Sequence, residues 1–241
     1  MKQGMQEQTA ILEFKGVTVR SASSQISGIS QINFSLGRGE IAVIGLEEGR
    51  EHIPLAPLAQ GLLAPDSGCV SFQGVDWADM NASRQSVERG RIRRVFEHYG
   101  WVTNLDVMEN LCLAECHHTR RTMDEVMQEV RGLAGRFGLE DIPEARPTRV
   151  HGMVLRKLEW VRALVGTPSL IILERPLFGA PKADAPKLME AVCEASRRGV
   201  AVLWLTEDER VIECRNLGAV RRFRMDGEKL VAVSNGRESD G

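Results

Sequence analysis

Three short apolar runs punctuate the chain: Ile41–Ile44, Leu170–Leu173 and Val200–Leu205. Each ends in a charged or glycine-containing loop, and helical patterns lie between them. A run apolar on both faces needs cover on both faces, so these predict parallel strands buried between layers. Strand and helix in alternation give an α/β fold with right-handed crossovers. Upstream, Ile11–Val19 and Ile29–Leu36 alternate like antiparallel strands. Cys69–Phe72 followed by Gly74 reads as another strand with a turn.

The middle of the chain, Ala82–Pro147, has a different period. Met123, Val126, Met127, Val130, Leu133 and Ala134 fall on one helical face, closed by Gly135 and Gly138. This predicts a helical insertion between two halves of one sheet. The last residues, SNGRESDG, are polar and expected to fray.

Composition changes this picture little. At 241 residues, with 43% hydrophobic and 27% charged positions, the chain matches one ordinary globular domain with a substantial core. A formal net charge of -2 gives no reason to expect a nucleic-acid partner. No apolar run is long enough to span a membrane, and the polar start MKQGMQEQTA does not read as a signal peptide. A cytoplasmic location is expected. The five scattered cysteines suit reduced thiols.

Cys112, Cys116, His117 and His118 place four potential metal ligands within seven residues. On a helix Cys112 and Cys116 share a face, whereas the two histidines are rotated away, so four-ligand closure requires the helix to end there. The competing reading is buried thiols followed by exposed histidines, and no metal site is assigned.

Five ordered segments resemble the ATP-binding-cassette (ABC) ATPase pattern: GEIAVIG at 39–45, GLLAPDSGCVSFQG at 61–74, VFEHYGWVTNLDVMENL at 95–111, VHGMVLRKLEWVRALVGTPSLIILERPLFG at 150–179 and VAVLWLTED at 200–208. The resemblance covers about residues 11–234. It implies a P-loop NTPase, ABC-ATPase fold, a mixed sheet with an antiparallel β subdomain and a helical subdomain insertion. On this division 1–81 form the first half of the core with the β subdomain. Residues 82–149 form the helical subdomain, 150–234 carry the signature helix and the later strands, and 235–241 are a tail. Within the family, GWVTNLDVMENLCL is most similar to ATPases of the Mla/Mce lipid-transport type.

Phosphoryl transfer in such proteins needs a cradle of backbone N–H groups, a lysine on the β/γ-phosphates and a hydroxyl on magnesium. Aligned on Pro65-Asp66-Ser67-Gly68, the loop GLEEGREHIP that starts at Gly45 puts Gly49 on the central glycine and Glu51 on the last glycine. His52 then falls on the lysine, and Ile53 and Pro54 on the Ser/Thr pair. Glu47, Glu48 and Glu51 make the loop hostile to phosphate. A carboxylate ~5 Å from a phosphate charge, at an effective dielectric near 20, costs about 3 kcal/mol. The same carboxylates are expected to serve a helix N-terminus in place of an anion.

The resemblance places Glu174 on the magnesium-associated aspartate, Arg175 on the glutamate that orients water, Glu97 on the Q-loop glutamine and Glu207 on the switch histidine. A guanidinium cannot act as a base. Pro181 stands on the D-loop aspartate, and Ser21 at about the place of the adenine-stacking aromatic. In the signature, His151, Gly152 and Met153 stand for serine-glycine-glycine, so close backbone approach to a partner's phosphate is lost.

These positions imply a non-hydrolysing pseudo-ATPase with no ATP or magnesium bound. It would be a structural and coupling subunit under a membrane permease, paired with another cassette subunit or a second copy and peripheral at the inner membrane. The alternatives are a weak ATPase using Glu174 with His52, and a soluble regulator of another cassette subunit. Tyr99, Trp101, Val102 and Leu105 are the expected docking residues for the permease, with core packing of Trp101 the competing reading. Arginine among carboxylates also requires a partner. Arg175 is therefore expected to pair with Glu97, Glu207 or a glutamate of residues 47–51.

Overall fold

The computed structural model describes residues 9–21, 27–47, 52–98, 100–214, 216–218 and 220–233. In chain order these form β1 (Leu12–Val19), β2 (Ile29–Leu36), β3 (Ile41–Gly45), α1 (Leu55–Ala59), β4 (Ser67–Phe72), β5 (Val75–Asp76), α2 (Ala82–Arg89) and β6 (Ile92–Val95). There follow α3 (Val107–His118), α4 (Met123–Arg136), α5 (Gly152–Leu164), β7 (Leu170–Glu174), α6 (Ala185–Arg197), β8 (Ala201–Thr206), α7 (Glu209–Ile212), β9 (Val220–Asp226) and β10 (Lys229–Ala232). Strands β9, β3, β8, β7 and β6 lie side by side and parallel, with β10 antiparallel on the β9 edge. Strands β2, β1, β4 and β5 make a separate antiparallel sheet.

The period-2 geometry of a strand divides the core in two. Ile41, Val43, Ile171, Leu173, Val202 and Trp204 face the helical layer, where they meet α3 to α6. Their neighbours Ala42, Ile44, Leu170, Ile172, Leu203 and Leu205 face the opposite side, toward α1 and the antiparallel sheet. Both faces of the three central strands are dry, which is why their sequences read as continuous apolar runs.

Gly68 is the second residue of β4. It has φ +81°, and a Cβ there would strike the carbonyl groups of Lys15 and Gly16 on β1, beside the register shift in the β1–β4 ladder. Gly68→Ala is therefore expected to lower the unfolding free energy by about 2–3 kcal/mol, from backbone strain and overpacking together. Urea denaturation checks it, and an unchanged midpoint at unchanged slope would disprove the clash.

Two sequence expectations shift. Strand β6 lies inside the stretch read as a helical insertion, because its sequence IRRV carries adjacent arginines that end any apolar run. Both are neutralised in the fold: Arg93 reaches Glu115 on α3 at 2.5 Å and Arg94 reaches Glu174 at 2.6 Å. Helix α4 begins with a Thr122/Glu125 capping box and buries Val126, Val130 and Ala134 as its period predicts. Gly135 falls within it, and Gly138 at φ +74° follows its end, while Met123 is exposed.

Candidate functional site

In a parallel sheet all the strands end on one edge, and ligands bind in the crevice beyond it. Here β3 ends at Gly45, β6 at Val95, β7 at Glu174 and β8 at Thr206. The pairing β6–β7–β8 therefore sets Glu97, Arg175 and Glu207, each one or two residues past its strand, beside one another. Arg175 pairs with Glu97 through one guanidinium nitrogen and with Glu207 Oε1 at 2.6 Å through the other. Glu97 Oε2 lies 3.1 Å from Nδ1 of His52. The expected ion pair of Arg175 is thus present, with two carboxylates rather than one.

The environment sharpens these charges. The Arg175 side chain is only 11% exposed. Burial pushes the Glu97 carboxyl up, but the His52 hydrogen bond and the Arg175 charge outweigh it and hold the group below its ordinary value. Arg175 adopts φ 40°, a left-handed conformation that costs a non-glycine residue energy. Its N–H donates to the Leu205 carbonyl at 2.8 Å, and its own carbonyl accepts from Phe178 at 2.9 Å, which fixes the turn. Glu174 is held by a different cation: Arg94 Nε donates to its Oε2 at 2.6 Å, and Arg94 Nη1 donates to Gln60 at the end of α1 at 2.9 Å.

The loop that carries Glu97 is gripped from α5. Arg156 donates to the carbonyls of Phe96 at 2.9 Å and Glu97 at 3.1 Å and to Glu159 Oε2 at 2.8 Å. Glu159 Oε1 accepts from the Gly100 N–H at 3.3 Å, and Arg162 donates to the Gly100 carbonyl at 2.7 Å. Further on, the Asn110 side chain accepts from Val102 N–H at 2.8 Å and donates to the carbonyls of Val102, Leu105 and Asp106. The backbone of Phe96, Glu97, Gly100, Val102, Leu105 and Asp106 is thus tied to side chains of α5 and α3. The sequence did carry a signal for this grip: Arg156 and Glu159, three apart on a helix, stand among Leu155, Leu158, Trp160 and Val161.

Among the described residues, positions 45–47 and 52–57 do not build an anion cradle. Helix α1 is a five-residue turn that starts at Leu55, with no acidic residue in its first turn and no side-chain cap. The expectation that loop glutamates serve a helix N-terminus therefore fails for Glu47, which is exposed well before α1. Glu48, Gly49 and Glu51 lie outside the described residues. Pro54 and Pro57 have no N–H to offer, and the Leu55 N–H is bonded to the Ile53 carbonyl at 2.9 Å. Ile53 is buried in the core below.

At the signature position, His151 is the N-cap of α5 and its Nδ1 accepts from the Met153 N–H at 3.3 Å. One N–H group of this helix end is thus taken by the chain itself. Gly152 is the first residue of α5, and Met153 is exposed.

Of the expected docking residues, Tyr99 lies outside the described residues. Trp101 is not an exposed aromatic: it packs on the core with the Arg162 guanidinium 4.8 Å over its ring. Leu105 is half-buried and Val102 is exposed. Cys112 is buried whereas Cys116 is exposed, and the His117 and His118 rings meet edge to face at 4.7 Å. Among the described residues no three His, Cys, Asp or Glu side chains gather as a metal site, and no helix is long and apolar enough to cross a membrane.

No protein-family model matches the chain. An uncharacterized ABC transporter ATP-binding protein of Escherichia coli K12, YphE, is 24% identical over 207 residues. That match spans 84% of this chain and 41% of YphE. The phosphonates import ATP-binding protein PhnC of Rhodopseudomonas palustris is 25% identical over 94% of this chain and 82% of its own length. The lipoprotein-releasing system ATP-binding protein LolD 1 of Caulobacter vibrioides is 24% identical over 84% and 88%. Among solved structures, the dimeric cassette MJ0796, bound to ADP and Pi in a post-hydrolysis state, superposes with a TM-score of 0.79 at 19% identity. That likeness covers 91% of this chain and 96% of MJ0796. The chain carries the fold of an ABC transporter ATP-binding cassette and is related in sequence to such subunits.

Proposed function

We propose that this chain is a cassette-shaped structural and coupling subunit of a membrane transporter, and that it neither binds nor hydrolyses ATP. One observation carries the reading: Arg175, bonded to Glu97 and Glu207, occupies the edge of the sheet where a cassette would hold the terminal phosphate. Phosphoryl transfer relies on placed cations and a water-orienting group. Here the candidate cations are already neutralised by carboxylates of the same chain. The weak-ATPase alternative needs Glu174 and His52 free to act, but Arg94 and Glu97 hold them.

The transporter setting follows the names of the relatives, which are ATP-binding proteins of phosphonate import and lipoprotein release. In such an assembly the partners are a membrane permease and either another cassette subunit or a second copy, at the cytoplasmic face of the inner membrane. An Mce-type lipid system is the cargo assignment suggested by GWVTNLDVMENLCL alone.

The expected result of calorimetry with Mg-ATP at millimolar concentration is no measurable binding. His52→Lys alone is expected to leave that result unchanged, because the new ammonium still faces Glu97, and Glu51 and Ile53 remain in the loop. A micromolar dissociation constant for the native chain would overturn the proposal.

A further inference from the structure

Helix α3 places Met108, Cys112 and Cys116 at intervals of four, on successive turns of one face. The thiol of Cys112 lies 3.9 Å from the Met108 thioether, and the thiol of Cys116 lies 3.7 Å from the thioether of Met123, the first residue of α4. Two thiols one turn apart have Cβ atoms about 5–6 Å from each other, within reach of a single bridging ion. Of the histidines of the same segment, His118 lies against Gly90 on another side of the helix, and the His117 ring meets that of His118. The donor set is therefore sulfur alone, and it is soft.

We infer that Cys112 and Cys116, with Met123 as third ligand, form a site for one soft monovalent cation of the Cu(I) class. Sulfur-only, low-coordinate donor sets select such ions, whereas structural zinc needs four ligands and magnesium or calcium needs oxygen. Binding exchanges two thiol protons for the cation: two neutral thiols and one monovalent ion give a two-thiolate complex of charge -1 and release two protons. Burial pushes the Cys112 thiol up to about 11, with Cys116 adding to it, while Arg131 and Arg121 pull the other way. Arg121 is already paired with Glu115 at 3.2 Å and Glu129 at 2.6 Å, so the countercharge for the anionic complex comes from Arg131. Cys116 and Met123 are exposed, so the ion reaches the site from solvent without opening the core.

The test uses the full-length reduced chain under anaerobic conditions, with Cu(I) presented in a chromophoric chelator. The native chain is expected to withdraw one Cu(I) per chain, and the bound ion to protect both Cys112 and Cys116 from alkylation. Cys116→Ser, an exposed substitution that leaves the core intact, is expected to abolish that site. Met123→Leu is expected to weaken it about tenfold. Three outcomes each overturn the inference: no Cu(I) withdrawn by the native chain, a full site retained in Cys116→Ser, or protection at Cys69, Cys193 or Cys214 instead. Since Mg-ATP plays no part in this measurement, its result is independent of the nucleotide titration.

Discussion

Arg156→Met will lower the unfolding free energy by about 3–5 kcal/mol, because it leaves Glu159 as an unpaired carboxylate inside the protein. The two side chains are 3% and 0% exposed and sit 2.8 Å apart. Burial already pushes the Glu159 carboxyl up, against the pull of Arg156 and Arg162. Removing Arg156 raises it further, which fixes the sign of the pH dependence. A carboxyl raised in the folded state binds its proton more tightly there than in the unfolded chain. Stability is therefore retained below its ordinary value and lost as pH rises toward the folded value. The deficit of the variant should accordingly be larger at about pH 7 than at about pH 4. The double variant Arg156→Met with Glu159→Leu should recover most of the loss, since apolar replacement of a buried pair is often neutral. It should not recover the loop, because Phe96 and Glu97 lose the donor to their carbonyls. Amide exchange across residues 96–101 will then be faster than in the native chain. Denaturation at the two pH values, with exchange on the double variant, checks this. A single variant as stable as the native chain at pH 7 would show that Glu159 is already neutral.

Arg175→Met is expected to cost about 3 kcal/mol, from two lost charge-assisted bonds and the repulsion left between Glu97 and Glu207. Both carboxylates keep some access to water, at 19% and 26% exposure, which holds the figure below the extreme for a buried pair. Arg175→Lys should recover less than half, since an ammonium is a point charge and cannot fork between two carboxylates as a guanidinium does. The pH dependence has the opposite sign from that of Arg156→Met. Glu97 is held below its ordinary value, so its contribution is present above that value and lost as pH falls through the lower folded one. The gap between native chain and variant should narrow in acid. Equal stabilities at pH 7 would mean that the bonds merely replace equivalent bonds to water.

What the sequence disclosed and what it hid have physical causes. β3, β7 and β8 were legible because both faces are buried, leaving no polar residue to break the run. β6 and β9 were not, since Arg93 and Arg94 interrupt the one, and Arg221, Arg222 and Arg224 the other. A buried arginine looks like a loop residue until its carboxylate is found, and Glu115 and Glu174 are 22 and 80 residues away from theirs. The ion pair of Arg175 could be anticipated because a buried charge demands a partner and the resemblance named the nearby carboxylates. Nothing local could show that Glu174 would be taken by Arg94, or that α1 would be one short turn. Trp101 was ambiguous for the usual reason: indole suits a core and an interface equally.

The Arg175 network is also a statement about supply. A site filled by a nucleotide is full or empty according to how much nucleotide the cell contains. Arg175, Glu97 and Glu207 belong to one polypeptide, so each meets the others at an effective concentration of millimolar or more that no dilution changes. On the function proposed above, the shape of this edge of the sheet is the same in starvation and in plenty.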